Sequence, residues 1–279
     1  MKIASKEYVV KRLTELMITP KKKFSQNFLT DYETVVDAIN ALSLTDDDTV
    51  IEVGPGLGAL SQELLDRNTK LYAYEIDPNM YNHLKDVFSW SKTFNIDNID
   101  FMKVDLKQFE GNIIKFISNV PYNITTPLIE KVVTSSLNVD CFEFMVQKEV
   151  YDRIKAKVGS KDYSPLNIFI EYVGKLSVVK KVSKQNFIPV PNVDSIILKI
   201  DFTNKNRLDK EIEKEFIRIT KASFAMRRKT ILNNLNAYFN SKELAQKVLL
   251  EAGIKENERA EDISLQTYLN LAKISYSNK

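Results

Sequence analysis

Short apolar runs alternate with helix-length amphipathic stretches from Asp31 to about Thr203. Thr49–Val53, Lys70–Glu75, Asp100–Val104, Lys115–Ser118 and Cys141–Val146 are brief, bounded by turn residues and rich in Val, Ile, Phe and Tyr. That length and composition predict strands buried on both faces of a parallel sheet. Helical patterning covers Asp31–Leu42, Gly58–Arg67, Asn79–Val87 and Thr126–Ser135. The alternation predicts an α/β, Rossmann-like, doubly wound sheet. Leu176–Val182 and Ser195–Ile200 are two more strands, separated by a proline-containing loop with no helix between them. They read as an antiparallel hairpin at the edge of an otherwise mostly parallel sheet.

After Thr203 the period changes. Ile212, Phe216 and Ile219 fall on one helical face, Asn240 with Glu243 resembles a capping box, and Gly253 is placed to end that helix. Ser264 opens a last helix through Tyr268, Leu269 and Ala272. The expected organisation is a catalytic α/β domain over residues 1–203, carrying a basic N-terminal extension, and a smaller all-helical domain over 204–279.

The chain has one cysteine, Cys141, and one histidine, His83, in 279 residues. An internal disulfide and a zinc site built on Cys and His are therefore excluded by count, and no metal is expected. His83 sits among Lys and Asp in a helical stretch and reads as a solvated surface histidine. No apolar run reaches the eighteen or so residues of a membrane helix, and Met1–Leu29 lacks the apolar core of a secretory signal. A cytoplasmic protein with no membrane attachment is the expectation.

Net charge is only +3, but its distribution is uneven. Residues 1–29 hold seven bases and two acids, whereas 46–115 hold thirteen acids and seven bases. Residues 218–229 carry five bases and no acid. Basic segments flanking an acidic block suit a phosphate-backbone binder, although lysine-rich solvated faces give the same count.

Three motifs carry chemistry. Glu52-Val53-Gly54-Pro55-Gly56-Leu57-Gly58 follows the first strand, where glycines let the backbone turn tightly against a ligand and the next helix supplies free N–H groups. Tyr74-Glu75-Ile76-Asp77-Pro78 ends the second strand, with Glu75 placed to bind both hydroxyls of a ribose. Together they predict an adenosine-containing cofactor and leave a nicotinamide dinucleotide and S-adenosylmethionine both open. Asp105, just past the predicted third strand, is a candidate acceptor for an adenine amino group, with a helix N-cap as the plainer alternative.

Ser118-Asn119-Val120-Pro121-Tyr122-Asn123, at the end of the fourth strand, separates the two cofactors. An aromatic amine is a poor nucleophile because its lone pair is delocalised into the ring. The Asn119 side-chain oxygen and a carbonyl exposed before Pro121 can accept both amino hydrogens. Tyr122 offers a flat face for a base, a contact worth about 1–3 kcal/mol in single-stranded recognition. A stacked target base would have to be extruded to reach them.

On these motifs the chain resembles the ribosomal RNA small-subunit adenine N6-dimethyltransferases, the KsgA-type rRNA adenine dimethylases, over nearly its whole length. Lys23–Leu29 is similar to the family's cofactor-closing N-terminal motif, Ile51–Leu60 to its glycine loop and Asn119–Thr125 to its adenine-methylating motif. Met145–Val150, Phe187–Ser195 and Ser223–Thr230 are similar to later signatures, with Arg227–Lys229 expected on a helix. Ser25 and Val120 depart from the usual glycine and leucine. The resemblance implies S-adenosyl-L-methionine as cofactor, contacted by Asn27, Leu29, Gly54, Gly56, Glu75, Asp105 and Asn119. It implies catalysis by Asn119, Pro121 and Tyr122, with Phe187 stacking on the target adenine opposite Tyr122. The implied product is N6,N6-dimethyladenosine at two adjacent adenosines in a hairpin near the 3′ end of small-subunit rRNA. Lys21, Lys22, Lys23, Arg227, Arg228 and Lys229 are candidate RNA contacts of a monomer acting on the assembling small subunit. The alternatives are a large-subunit rRNA adenine methyltransferase conferring macrolide resistance, which shares the Asn-x-Pro-Tyr motif, and a non-enzymatic rRNA-binding assembly factor. The glycine loop and Arg227–Thr230 favour the small-subunit enzyme over the first, and the intact Asn119–Tyr122 motif disfavours the second.

Overall fold

The computed structural model describes residues 2–17, 26–119, 124–204 and 206–278. In chain order the elements begin with α1 (Lys6–Glu15), β1 (Phe28–Leu29), α2 (Tyr32–Ala41), β2 (Thr49–Val53) and α3 (Ala59–Asp66). Then come β3 (Lys70–Tyr74), α4 (Pro78–Val87), β4 (Phe94–Asp97), β5 (Ile113–Ser118), α5 (Thr125–Val133), β6 (Asn138–Gln147) and α6 (Lys148–Ile154). They are followed by α7 (Pro165–Val173), β7 (Lys175–Val182), β8 (Phe187–Ile188) and β9 (Ser195–Asp201). Four helices complete the chain: α8 (Lys210–Ser223), α9 (Ile231–Phe239), α10 (Lys242–Glu251) and α11 (Leu265–Ser277).

Seven strands form one sheet in the order β4-β3-β2-β5-β6-β9-β7. The pairs from β4 to β6 are parallel, and β9 runs antiparallel to both β6 and β7, as the edge-hairpin reading expects. The connections leave β2 one way through β3 and β4 and the other way through β6. The β2/β5 junction is thus a topological switch point, where open α/β sheets bind ligands at the strands' carboxyl ends. All five residues of β2 are buried, which explains its near-continuous apolar run. Outside this sheet, β1 pairs antiparallel with β8, setting Leu29 opposite Phe187.

One predicted strand is displaced. Asp100–Val104 is not a strand: Phe101–Lys103 forms a 3-10 turn whose N-cap, Asp100, accepts the Met102 N–H at 2.9 Å. The strand lies earlier, at β4, a sheet edge that alternates half-buried and exposed side chains. Its polar alternation hides it, while Phe101 and Val104 look strand-like because both are buried.

His83 is also placed differently. It lies on the buried face of α4 with Met80 and Leu84, 2% exposed, and its Nδ1 accepts from Arg12 Nε at 3.1 Å. Burial, then the Arg12 charge, pushes the imidazole down to about 4, so the ring is neutral. The charged residues flanking it in sequence occupy the other side of the helix.

The chain forms two compact units, one of residues 1–151 and 175–202, the other of 152–174 and 203–279. A single cut between 203 and 204 therefore misses 152–174, a segment that belongs with the helical unit. In that unit α7 packs on α8 and α11. Seven of the nine α7 residues are buried. Asn167 Nδ2 donates to the carbonyls of Arg153, Ile154 and Ala156 at 2.9, 2.7 and 3.2 Å, collecting the end of α6. The α10 cap sits one residue beyond the expected one: Ser241 accepts the Leu244 N–H, while Asn240 is the left-handed C-cap of α9. Gly253, at φ +71°, follows α10 as expected, and Ser264 caps α11. Each serine cap is worth about 1 kcal/mol.

Candidate functional site

Above the carboxyl ends of β2, β3 and β5 lies a cavity of about 280 Å³. Its floor is the glycine loop. Gly54 and Gly56, at φ +71° and +60°, hold a conformation that L side chains rarely adopt. Gly54 N–H donates to the Tyr74 carbonyl at 3.0 Å, which ties the loop to the end of β3. Gly58, at φ +89°, is the N-cap of α3, and a Cβ there would lie 2.8 Å from both Leu84 and Phe88. Glycine is thus required at this position to let α3 lie against α4.

Glu75 joins two segments. Its Oε2 accepts the Gly56 N–H at 3.0 Å and its Oε1 accepts the Asp77 N–H at 2.8 Å. Burial raises its carboxyl above the usual range, and the backbone donors of Asp77 and Gly56 oppose that rise. Asp77 caps α4 through the Asn79 N–H and accepts from Gln26 Nε2 at 3.0 Å, bringing the N-terminal segment to the same edge.

A second acid, Glu52, also lines the cavity and is 1% exposed. Its Oε2 accepts from Ser61 Oγ at 2.6 Å. Burial pushes its carboxyl up to about 8, the Ser61 hydroxyl pulls it down, and the neighbouring Glu75 charge raises it further. A carboxyl of this kind is poised to respond to a cation or a hydrogen-bond donor entering the cavity.

Of the residues singled out from sequence, Asn27, Leu29, Gly54, Gly56, Glu75 and Asn119 all line this cavity. Asn119 immediately follows β5, where Ser118 Oγ donates to the Val53 carbonyl at 2.6 Å and locks the two strand ends together. Asp105 is elsewhere: exposed, off the cavity wall, and capping a 3-10 turn by accepting the Lys107 N–H at 3.0 Å. Asp100 lines the cavity in its stead, because the strand that leads to it ends at Asp97. Phe187 is not on the wall either; it is 1% exposed within the core cluster that contains Phe28 and Leu29. In this arrangement it offers no open face to a base. Pro121, Tyr122, Lys21, Lys22 and Lys23 lie outside the described residues.

Sequence reasoning passed over Glu52, Asp100 and Gln26. For Glu52 the signal was present, an acid inside a run of buried strand residues. In the helical unit Arg227, Arg228 and Lys229 are exposed, and they sit in the turn between α8 and α9 and not on a helix. Asn234 holds that turn by accepting the Met226 N–H at 3.1 Å and donating to the Ser223 carbonyl at 2.6 Å. Arg227 donates to the Lys161 carbonyl, joining the turn to the basic 153–161 segment. Among the described residues no group of three or more His, Cys, Asp or Glu could hold a metal ion, and no helix is long and apolar enough to cross a membrane.

A glycine loop at the switch point of this sheet, with an acid just after the next strand, defines a Rossmann-like methyltransferase once similar solved structures are added. A dimethyladenosine transferase from Plasmodium falciparum superposes with a TM-score of 0.69 at 25% identity, over 87% of this chain and 95% of that one. The 23S rRNA methyltransferase ErmE shares the fold with a TM-score of 0.62 at 24% identity, over 90% of this chain and 100% of that one. The family model described as ribosomal RNA adenine dimethylase matches residues 17–276. Ribosomal RNA small subunit methyltransferase A of Clostridium botulinum (strain Kyoto / Type A2) is 35% identical over 257 residues, 91% of this chain and 94% of the relative. Its namesake in Fusobacterium nucleatum is 37% identical over 256 residues, 91% of this chain and 97% of the relative. The chain belongs to the ribosomal RNA adenine dimethylase family and is an enzyme of that family.

Proposed function

We propose that the protein uses S-adenosyl-L-methionine to dimethylate N6 of two adjacent adenosines in a hairpin near the 3′ end of small-subunit rRNA. The observation that carries this reading is the convergence of Gly54, Gly56, Glu75 and Asn119 on one cavity, in a chain whose full-length relatives are named small-subunit methyltransferases. The cavity suits the cofactor. Two buried acids, Glu52 and Glu75, face it, and Gly54 and Gly56, at positive φ, floor it. Glu75 would take the ribose hydroxyls with the acceptor capacity its two backbone donors leave. Asp100, in place of Asp105, would accept from the cofactor's adenine amino group. When bound, the cofactor supplies an activated methyl group.

The protein's own part is to prepare the amine. Asn119 Oδ1 at the rim would accept one N6 hydrogen and a carbonyl before Pro121 the other, drawing nitrogen towards a tetrahedral geometry with its lone pair free. Tyr122 would stack on the extruded base, and Phe187 would join it once uncovered. Bases on the Arg227–Lys229 turn and at Lys21–Lys23 would neutralise rRNA phosphates. The enzyme would act as a cytoplasmic monomer. Incubating it with labelled cofactor and, in separate reactions, undermethylated small or large subunits, followed by nucleoside analysis, tests the reading. Labelled N6,N6-dimethyladenosine is the expected product; label in large-subunit RNA alone, or none, would overturn it.

A further inference from the structure

Helix α1 precedes the segment that the family model matches, which begins at residue 17. It nevertheless reaches the cavity, because Ile3, just before it, and Val9, on its buried face, both line the wall. These side chains are 2% and 1% exposed and pack in the same cluster as Phe28, Leu29, Leu57 and Leu60, which line that wall too. The polar cavity groups Glu52, Glu75 and Asp100 belong to the strand ends and to the turn after β4. The side built on α1 is apolar and can act only by shape and by excluding water.

The segment is fastened at several points, three of them through Ile3, Ser5 and Arg12. Ile3 N–H donates to Gln62 Oε1 of α3 at 2.9 Å, Ser5 forms a β-bridge with Asp31 ahead of α2, and Arg12 Nε donates to His83 Nδ1 of α4 at 3.1 Å. The last is a charge-assisted bond to a buried, neutral ring. It ties the helix that holds Val9 to the helix that Asp77 caps.

We infer that Ile3 and Val9 form a water-excluding wall of the cofactor pocket, and that Arg12 is a positioning residue that holds this wall through His83. The inference rests on the cavity being the cofactor site. It assigns to this chain's N-terminal helix a share in cofactor retention that leaves the methyl-transfer groups untouched.

The test compares Val9→Ala and Arg12→Ala with the unaltered protein. Calorimetric titration with S-adenosylhomocysteine gives Kd, steady-state assays give KM and kcat, and thermal melts are recorded with and without that ligand. Each variant is expected to raise Kd and cofactor KM about three- to tenfold, keep kcat at saturating cofactor and shrink the ligand-induced rise in Tm. A lower Tm for the empty protein, with Kd, KM and the ligand-induced rise unchanged, would reduce α1 to a scaffold and overturn the inference. Failure of the unaltered protein to bind the probe would overturn the cofactor-site reading and this inference with it. Normal binding by the unaltered protein and both variants would overturn the inference alone.

Discussion

Gly58 and Gly111 share the same backbone angle, φ +89°, in very different surroundings, and that coincidence permits a controlled measurement. A Cβ at Gly58 would meet Leu84 Cδ2 and Phe88 Cε2 at 2.8 Å, whereas one at Gly111 meets nothing within 4 Å. Leu84 and Phe88 are 0% and 2% exposed, so neither can swing into solvent. Gly111→Ala should cost only the positive-φ strain, about 1–2 kcal/mol, less the gain from a stiffer unfolded chain. Gly58→Ala carries the same terms plus overpacking of about 1–3 kcal/mol. Both positions lie in the same compact unit, so they report on the same transition. Urea unfolding of the two variants, compared by midpoint at equal slope, should separate them by about 1–3 kcal/mol. A difference below about 0.5 kcal/mol would show that α3 and α4 can part at little cost, and that their approach does not need glycine.

Other expectations follow from the same geometry. Asn119→Ala should abolish turnover while cofactor affinity stays within about tenfold, or 1.4 kcal/mol, by calorimetry; a variant that still methylates would end the proposed role. Glu52 is pushed up to about 8 by burial, so the folded protein holds a proton there that the unfolded chain has released above about pH 4.5. Stability of the empty protein should therefore fall as pH rises from about 4.5 to 8, by up to about 1.4 kcal/mol per unit from this carboxyl. Glu52→Gln should flatten that slope in unfolding titrations, and an unchanged slope would acquit Glu52. Replacing Arg227, Arg228 and Lys229 together with alanine should make rRNA binding less salt-dependent, by about 0.7–0.9 in log–log slope for each phosphate no longer neutralised. An unaltered slope would mean that these side chains only solvate the turn.

Where the sequence was readable, one physical signal dominated. At β2 an uninterrupted buried run gives way to glycine, and at β3 a mostly buried one gives way to an acid, so both strands and the loop between β2 and α3 stand out in the residue pattern alone. The hairpin of β7 and β9 was legible because nothing long enough for a crossover helix separates them. β4 escaped because an edge strand alternates polar and apolar, and its neighbour Phe101 packs 5.4 Å from Tyr74 as though it were the strand. That displacement carried the adenine-amino candidate from Asp100 to Asp105. α7 escaped for the opposite reason: with seven of nine residues buried, it shows no helical period. His83 was judged by its sequence neighbours, although the spacing of Met80, His83, Leu84 and Val87 marks an inward helical face. The Ile3–Val9 wall was invisible, since packing between distant segments leaves no local pattern.

The passage of the chain between its two units has a consequence for synthesis and for dissection. Residues 152–174 leave the ribosome long before α8 and α11, the helices on which α7 packs, and α11 is complete only at residue 277. Until then the nascent protein displays an apolar helix without α8 and α11, the kind of surface that holdase chaperones capture and that drives aggregation. The delay also raises contact order, which slows folding of the helical unit relative to its size. A fragment ending at 203 would keep this helix permanently without α8 and α11 and should precipitate. Excising 152–174 and joining 151 to 175 through a short polar linker is the more promising route to a soluble α/β fragment.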